Sequence, residues 1–293
     1  MTRTPPSTRA AAFIAGTLLG CGGAGGRSGA PDRITLRFHP PAGAAYPYEL
    51  EQQITIKGES GPVAGMGEQK ITMRIFLTQA VTGPTEGGVG VTVTFDSTSM
   101  ESPSGPAGMM DAQLRRLRGM TGQFVYDDRM RVVRADFDPP PGMNAPMTQQ
   151  IGNAARGMSF PLPAGPVGRG DTWSDRIELP VSEIPGTSGP IAATTTITLQ
   201  EIQVADADTT VRLSIDTKLP EDPIPLIFQG QRITMRVSGS MAGEQVFSVG
   251  RGAVVRGTMR GTMRFRLSGG VLGSQEMAMS MDQQVTIRLG GGL

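Results

Sequence analysis

The sequence predicts a mainly β protein, made of two related, strongly curved antiparallel sheets or of one incomplete barrel. One or two short helices are inserted in and after its first half. The first two of the following observations predict this class, and the third describes its core. Apolar and polar residues alternate over many segments, which is typical of strands with one buried face. Alternating segments lie on both sides of a Pro- and Gly-rich segment at 159–173, and they follow one another in a similar order on each side. Aromatic residues make up only 5%, so Met, Val, Ile and Leu supply the apolar mass.

The first half opens with three predicted antiparallel strands. Alternation runs through residues 48–57, 71–78 and 89–96, so every second side chain of each segment points toward the interior. We expect a loop at 58–67 and a turn at Gly83-Pro84, because Gly and Pro interrupt regular structure.

Two helices and two short strands follow. Apolar residues at helical spacing and a final glycine predict a helix over 107–119. Alternation returns at 123–126 and 131–137, which predicts two strands joined by a tight turn. A second helix is expected over 144–157, where apolar residues share one face.

The second half repeats this plan with a different sequence. Residues 173–179, 193–204 and 209–217 correspond to the three opening strands, and a Pro-rich connection at 219–225 stands where the first half has a helix. Longer alternating segments then predict strands at 233–237, 253–267 and 276–289.

An internal duplication is predicted from the similarity of the halves. Residues 122–134 align with residues 243–256, and these segments open with Gly-Gln-Phe-Val-Tyr and Gly-Glu-Gln-Val-Phe. The segment 159–173 is the expected crossover, since its prolines cannot donate to a sheet ladder and its glycines favour turns. It ends at Trp173, the only Trp, which we expect to be buried where the halves meet.

The N-terminus has the features of a secretory signal. Two arginines precede an apolar stretch at 10–19, which is shorter than the about 20 residues of a membrane span. Leu18-Leu19-Gly20 then precedes Cys21, the only Cys. These residues resemble a bacterial lipobox, which implies that Cys21 is lipidated and becomes the first residue of the mature protein. A buried or free thiol is the alternative.

The domain organisation follows from these features. We predict a lipoprotein signal peptide at 1–20, a Gly/Pro-rich tether at 21–44, a β half with two helices at 45–158, the crossover at 159–173 and a second β half at 174–293. The resemblance to lipoproteins implies the bacterial cell envelope. Gly22 stands where an Asp would retain an enterobacterial lipoprotein in the inner membrane, so the expected site is the outer membrane, facing the periplasm.

Charge and cysteine content exclude some partners. The formal net charge is +1 and becomes about −1 once residues 1–20 are removed, so neither form would be steered toward nucleic acid. One Cys permits no disulfide within the chain, and packing must therefore hold the fold.

The residues that usually carry catalysis are scarce. The single histidine, His39, is expected to be a surface residue, and one His cannot build a hydrolytic triad or an imidazole metal site. Close carboxylate pairs such as Asp127-Asp128 fall at turns, where Asp forms local hydrogen bonds. Asp206 and Asp208 lack the further oxygen ligands of a calcium loop. We therefore expect no enzyme, no cofactor and no metal.

Two repeated side-chain patterns have both a functional and a structural interpretation. Met277, Met279 and Met281 project to one side of a strand and could bind Cu(I), but the same spacing buries an apolar face, which we favour. The arginines at alternate positions between Arg256 and Arg266 could meet lipid or sugar phosphates. A solvated sheet face is the favoured interpretation.

The function predicted from these patterns is binding of a hydrophobic ligand or lipid in a concave sheet. Flexible and small apolar residues would leave room that aromatic side chains would fill. The residues expected to line such a site are Met235, Met259, Met263 and Met279. The alternative is a structural or assembly protein of the envelope that acts through protein contacts.

A short mid-chain motif gives one further resemblance. Phe160-Pro161-Leu162-Pro163, followed by Val167 and by Gly170-Asp171-Thr172-Trp173, resembles the Phe-Pro-Leu-Pro and Gly-Asp-x-Trp segments of a family of uncharacterised bacterial lipoproteins. More distantly, antiparallel strands with a helical insert behind a lipid-anchored Cys resemble the incomplete β-barrel carriers of lipids and lipoproteins. That resemblance implies an open, curved sheet with a lipid ligand.

Overall fold

The computed structural model of the chain describes residues 31–102, 114–138, 160–179, 191–205, 208–228, 231–273 and 275–290. It confirms the mainly β class, because one large antiparallel sheet and one two-stranded sheet make up most of it. The strands before the crossover are β1 (Arg33–Ile34), β2 (Ala45–Ser60), β3 (Gln69–Thr85), β4 (Gly88–Glu101), β5 (Thr121–Tyr126) and β6 (Val132–Asp138).

The remaining strands lie between Val167 and Leu289. They are β7 (Val167–Gly168), β8 (Thr172–Leu179), β9 (Ile191–Ala205), β10 (Asp208–Lys218), β11 (Pro223–Phe228), β12 (Gln231–Ser248), β13 (Ala253–Gly269) and β14 (Glu276–Leu289). Single 3₁₀ turns at Gly61–Val63 and Gly270–Leu272 follow β2 and β13.

The two halves form one continuous sheet rather than two. The strand order is β6-β5-β4-β3-β2-β14-β13-β12-β10-β9-β8, and β11 pairs with the part of β12 beyond β10. The last strand, β14, pairs with the first long strand, β2, in a register that runs from Ala278 opposite Ser60 to Leu289 opposite Tyr48. This pairing joins the halves.

Corresponding strands of the halves occupy the sheet in the same order. Strands β2 to β6 lie beside one another as do β8, β9, β10, β12 and β13, with β14 between the two sets. Because every pair is antiparallel, corresponding strands also run in the same direction. A duplication requires this arrangement, although a common origin of the halves stays a prediction.

The hydrophobic core shows that the sheet curls. One cluster of buried residues combines Phe124 of β5 with Ile197 of β9, although eight strand spacings separate these strands. In a flat sheet they would be roughly 40 Å apart at about 4.8 Å per strand. The edges β6 and β8 do not pair with each other in the part of the chain that the structure describes, so the curled sheet stays open.

Two connecting segments fill the space between the sheet edges. Leu36 and Leu162 are buried in the main cluster, and β1 pairs with β7. Residues 33–38, which the sequence analysis assigned to the tether, therefore belong to the core, while the domain boundaries as a whole stay predictions. The signal for this short strand is the alternation of Ile34, Leu36 and Phe38.

Backbone hydrogen bonds attach these segments to the turns at the edges. Phe38 N donates to Asp128 O at 2.8 Å, and Leu162 N donates to Arg129 O at 2.8 Å. Trp173, expected to be buried, is half-buried, and its indole Nε1 donates to Pro161 O at 2.8 Å.

Two local predictions are wrong. Gly83-Pro84 is not a turn, because β3 continues to Thr85 through a register shift after Val81, and the turn lies at Glu86-Gly87. The Pro-rich connection at 219–225 contains the start of β11, which pairs with β12 alone. An edge strand tolerates proline because its outer N–H groups are not needed for pairing.

The described residues test only the C-terminal end of the first predicted helix. Residues 114–119 form the end of a helical turn, in which Leu117 is buried and Gly119 has φ +78°. Gly119 N donates to Phe95 O at 2.7 Å, which fits the predicted stop. The rest of the predicted helix over 107–119 and the whole of 144–157 lie outside the described residues.

Close backbone contacts between β12 and β13 require glycine. A Cβ added to Gly243 would collide with the Thr258 carbonyl oxygen and lie 2.8 Å from Met259 Sδ. On β13, a Cβ at Gly261 would lie 2.7 Å from the Ser240 carbonyl oxygen. These strands approach too closely for a side chain at either position.

We predict that Gly243→Ala destabilises the protein by about 2 kcal/mol or more, because the strands must separate to admit the methyl group. Chemical denaturation of both proteins measures the difference. The matched control is Gly65→Ala, where nothing lies within 4 Å of the added Cβ. Equal stability of the Gly243 variant and the control would contradict the close approach.

Two of the three tyrosines of the chain connect its halves through hydrogen bonds. Tyr46 Oη donates to Arg251 O at 2.8 Å and Tyr48 Oη donates to Val254 O at 2.9 Å. Burial raises the pKa of Tyr46, and it raises that of Tyr48 further with the help of the neighbouring tyrosines. Burial raises the pKa of Tyr126, which packs against Phe38, to about 12.

These shifts predict the alkaline behaviour of the protein. A folded pKa above the unfolded value of about 10 stabilises the fold fully below pH 10, and this contribution is lost as pH rises through the folded pKa. At about pH 11 the native protein should show well under half of the tyrosinate absorbance at 295 nm that the unfolded chain shows. Ionisation of most tyrosines near pH 10 in the native protein would refute the buried environment.

Candidate functional site

The register of the central strands defines two faces of the large sheet. We call the face that carries Ile197, Leu213 and Met259 the inward face and the opposite one the outward face. On the inward face of β2, β3, β13 and β14, a continuous group of apolar side chains is only half-buried. Its members are Ile54, Ile56, Ile71, Met73, Met263, Phe265, Met277, Met279 and Met281.

The four methionines predicted to line a site all lie on the inward face of β12, β13 and β14. Met235 is 2% exposed and packs with Leu226 in a second hydrophobic cluster. Met259 is 6% exposed and belongs to the main cluster. Met263 and Met279 are half-buried. The first two are thus core residues, and the other two belong to the half-buried apolar group.

Met263 and Met279 lie close together through the strand register. Met263 stands opposite Met281, and Met279 stands opposite Phe265, the next inward position on β13. The Met277, Met279 and Met281 series therefore forms part of an apolar face, as favoured from the sequence. Its role as a ligand site is a prediction.

A row that contains three polar residues, a glycine and a methionine crosses the inward face between the two hydrophobic clusters. Neighbouring strands place Thr195, Thr217, Met241, Gly261 and Gln283 opposite one another in that order. The hydroxyls of Thr195 and Thr217 are 2.9 Å apart and buried. We call these five residues, together with Gln52 on β2, the polar row.

Weak hydrogen bonds connect the amides of the polar row. Gln52 Nε2 donates to Gln283 Oε1 at 3.3 Å, and Gln283 Nε2 donates to Met241 Sδ at 3.8 Å. Gly261 lies opposite both Gln283 and Met241, so no side chain separates them. Sequence analysis did not single out these glutamines, although they interrupt the apolar positions of their strands.

The outward face carries the charged residues. The arginines of β13 are exposed, and Arg264 Nε lies 3.1 Å from Glu59 Oε2. Arg260 Nε donates to Gln284 Oε1 at 2.9 Å. The arginines thus lie on a solvated face, as favoured from the sequence. Two of them, Arg260 and Arg264, contact polar side chains of other strands.

Ion pairs on the outward face perturb two carboxyl groups. Hydrogen bonds from Arg74 and then from Gln53 lower the pKa of Glu51. Hydrogen bonds from Lys57 and Lys70 lower the pKa of Glu68. Because both carboxyl groups lie at the surface, their shifts describe surface ion pairs that contribute little to stability.

A shallow cavity of about 450 Å³ is lined mainly by residues of the outward face, together with Gly261 and Gln283 of the polar row. Its lining is mostly polar, and none of the four predicted methionines belongs to it. The lining residues are Gln53, Thr55, Ser240, Ala242, Arg260, Gly261, Thr262, Asp282, Gln283 and Gln284.

The residues considered for catalysis lie at the surface or form local hydrogen bonds. His39 is exposed. Asp127 Oδ1 accepts hydrogen bonds from the N–H groups of Arg129 and Arg131, which closes the turn between β5 and β6. Asp208 accepts from Ser248 Oγ at 2.7 Å. Within the described ranges, no group of three or more His, Cys, Asp or Glu side chains could hold a metal ion.

Cys21 lies outside the described residues. Among the residues that are described, no helix has the length and apolar character to cross a membrane.

Comparison with solved structures finds three chains that match this one. No protein-family model matches the chain, and no curated protein matches it. The chain is similar to a chain of the structure "Lipid-protein interactions in lipovitellin", with 12% sequence identity and a TM-score of 0.48. The similarity covers 86% of this chain and 25% of that chain, so this protein spans about a quarter of the length of the one it resembles.

Proposed function

We propose that this protein is a non-enzymatic lipoprotein of the bacterial cell envelope that binds a lipid or another hydrophobic ligand on the inward face of its sheet. One observation supports this proposal above others. The apolar group around Met263, Met279 and Met281 is contiguous across four strands but only half-buried. Soluble proteins rarely leave a large contiguous apolar surface exposed, and such surfaces usually mark binding sites.

The composition of this surface suits a hydrophobic ligand. Covering apolar surface contributes about 25 cal/mol for each Å² removed from water. Methionine side chains are flexible and polarisable, so they adapt to ligands of different shape. Met263, Met279 and Met281 supply such side chains, while Ile54 and Ile56 on the neighbouring strand supply stiffer ones.

The proposed anchor is a lipid on the thiol of Cys21. Its support is the order of a basic segment, an apolar stretch and Leu18-Leu19-Gly20 before the only cysteine. The outer membrane, facing the periplasm, is the proposed location because Gly22 follows that cysteine.

A second candidate function is assembly of the envelope through protein contacts. Its support is the exposure of apolar side chains on edge strands, with Val133 of β6 57% exposed and Ile227 of β11 62% exposed. Unpaired strand edges can accept a strand from a partner. In that case a ligand on the inward face would be unnecessary.

We predict that protein purified from membranes carries an apolar ligand and that Met263→Gln with Met281→Gln removes it, because amides on the apolar face must lose hydration when the ligand binds. Native mass spectrometry and solvent extraction measure the ligand. The matched control is Arg264→Gln with Ser280→Gln, which changes the adjacent pair on the outward face. Absence of any ligand from wild type would favour the assembly function.

We also predict that Cys21→Ser moves the protein from the membrane fraction to the soluble fraction, because the acyl chains that hold it are lost. Immunoblotting of fractionated cells measures the distribution, and a known outer-membrane lipoprotein serves as the fractionation control. A wild-type protein already found in the soluble fraction would overturn the proposed anchor.

A further inference from the structure

We propose that the ligand is a neutral amphipath, a long hydrocarbon chain that carries a hydroxyl or ester head group, and that the head group binds at Gln52 and Gln283 of the polar row. This inference rests on the proposed function, since it concerns the same inward face. It names the chemical class of the ligand and the end at which it is recognised.

The position of the two glutamines is the first argument. Gln283 lies between Met281 and Val285 on the inward side of β14, and Gln52 lies beside Ile54 on β2. An amide in an apolar environment is costly unless its donors and acceptors find partners. Two amides in contact on such a face therefore indicate a polar group that is present for part of the time.

The hydrogen bonds of these amides are the second argument. Sulfur is a weak acceptor, and Gln283 Nε2 has only Met241 Sδ at 3.8 Å. The bond from Gln52 Nε2 at 3.3 Å lies beyond the usual range for amide donors. No donor to Gln52 Oε1 is found among the residues that the structure describes. A ligand hydroxyl or ester oxygen could therefore bond here without breaking a strong bond.

The third argument is the arrangement of side chains around the amides. Gly261 lies between Gln283 and Met241 and carries no side chain, because backbone of β12 lies against it. No other side chain therefore separates the Gln283 amide from its weak partner Met241. Met263 and Met281 form the next row and can contact the hydrocarbon of a ligand whose head group is bound at the amides.

The fourth argument concerns charge. Every inward position of β2, β3, β12, β13 and β14 in the paired segments is uncharged, and the arginines, lysines and carboxylates of these strands lie on the outward face. An ionised head group on the inward face would have no nearby counter-ion and would pay the cost of desolvation. The head group is therefore neutral.

A matched ligand pair tests this inference. Displacement of the fluorescent probe N-phenyl-1-naphthylamine measures binding of 1-dodecanol and of 1-chlorododecane, which have similar shape but differ in the hydroxyl. We expect wild type to bind the alcohol about fivefold more tightly, as one modest hydrogen bond predicts. Gln283→Met should reduce that ratio to about one and leave binding of the chloride unchanged or tighter.

The control variant is Gln284→Met, the next residue on the same strand, which lies on the outward face beside Arg260. It should keep the wild-type ratio. Equal binding of both ligands by wild type would overturn the inference while the proposed function stands. A loss of the preference in both variants would also overturn it. Binding of neither ligand by wild type would instead overturn the proposed function.

Discussion

The antiparallel pairing of β14 with β2 is the constraint on which the rest of the structure depends. Side chains alternate between faces along both strands, so a slip of one residue would turn the apolar side of one strand against the polar side of the other. The observed register places Met281 opposite Ile56 and Ile287 opposite Leu50. The apolar surface therefore runs without interruption from one half of the molecule to the other. Tyr48 strengthens the junction through its hydrogen bond to Val254 of β13, two strands away.

The curl of the joined sheet divides it into two unlike ends. At one end the strands nearest to the two edges meet in the main hydrophobic cluster, and residues 33–38 and 160–167 fill the opening between them. At the other end the long strands continue past this cluster, and only Leu226, Ile233, Met235 and Val237 form a second one. The polar row lies between the clusters. Two separate cores therefore lie on one sheet face, one on each side of this row.

Local periodicity predicts much of this fold but not its closure. β14 has the bounds predicted for it, and β9 and β10 differ from prediction by one or two residues, because alternation reports directly on which side chains are buried. The pairing of β14 with β2 joins positions about 230 residues apart, and no local pattern specifies it. The same limit applies to the site. Alternation places all four predicted methionines on one face. Tertiary packing then buries Met259 in the main cluster and Met235 in the second cluster with Leu226 of β11, and leaves Met263 and Met279 half-buried.

The distribution of side-chain types over the two ends bears on how such a sheet could hold a ligand. Four aromatic rings, those of Phe38, Phe124, Tyr126 and Phe137, contact one another at the filled end, where stiff rings favour a single packing arrangement. The half-buried surface has one aromatic ring, that of Phe265, and its other members are five methionines and three isoleucines. Methionine side chains adjust to a neighbour at small cost. Aromatic rings at both ends would favour a single packing arrangement throughout the sheet, which is what a protein with a purely structural core requires. Because rigid packing is concentrated at the aromatic end of the sheet, the methionine-rich end can stay adaptable. In the binding function proposed here, Gln52 and Gln283 lie between the two ends and set the position of the polar end of a ligand.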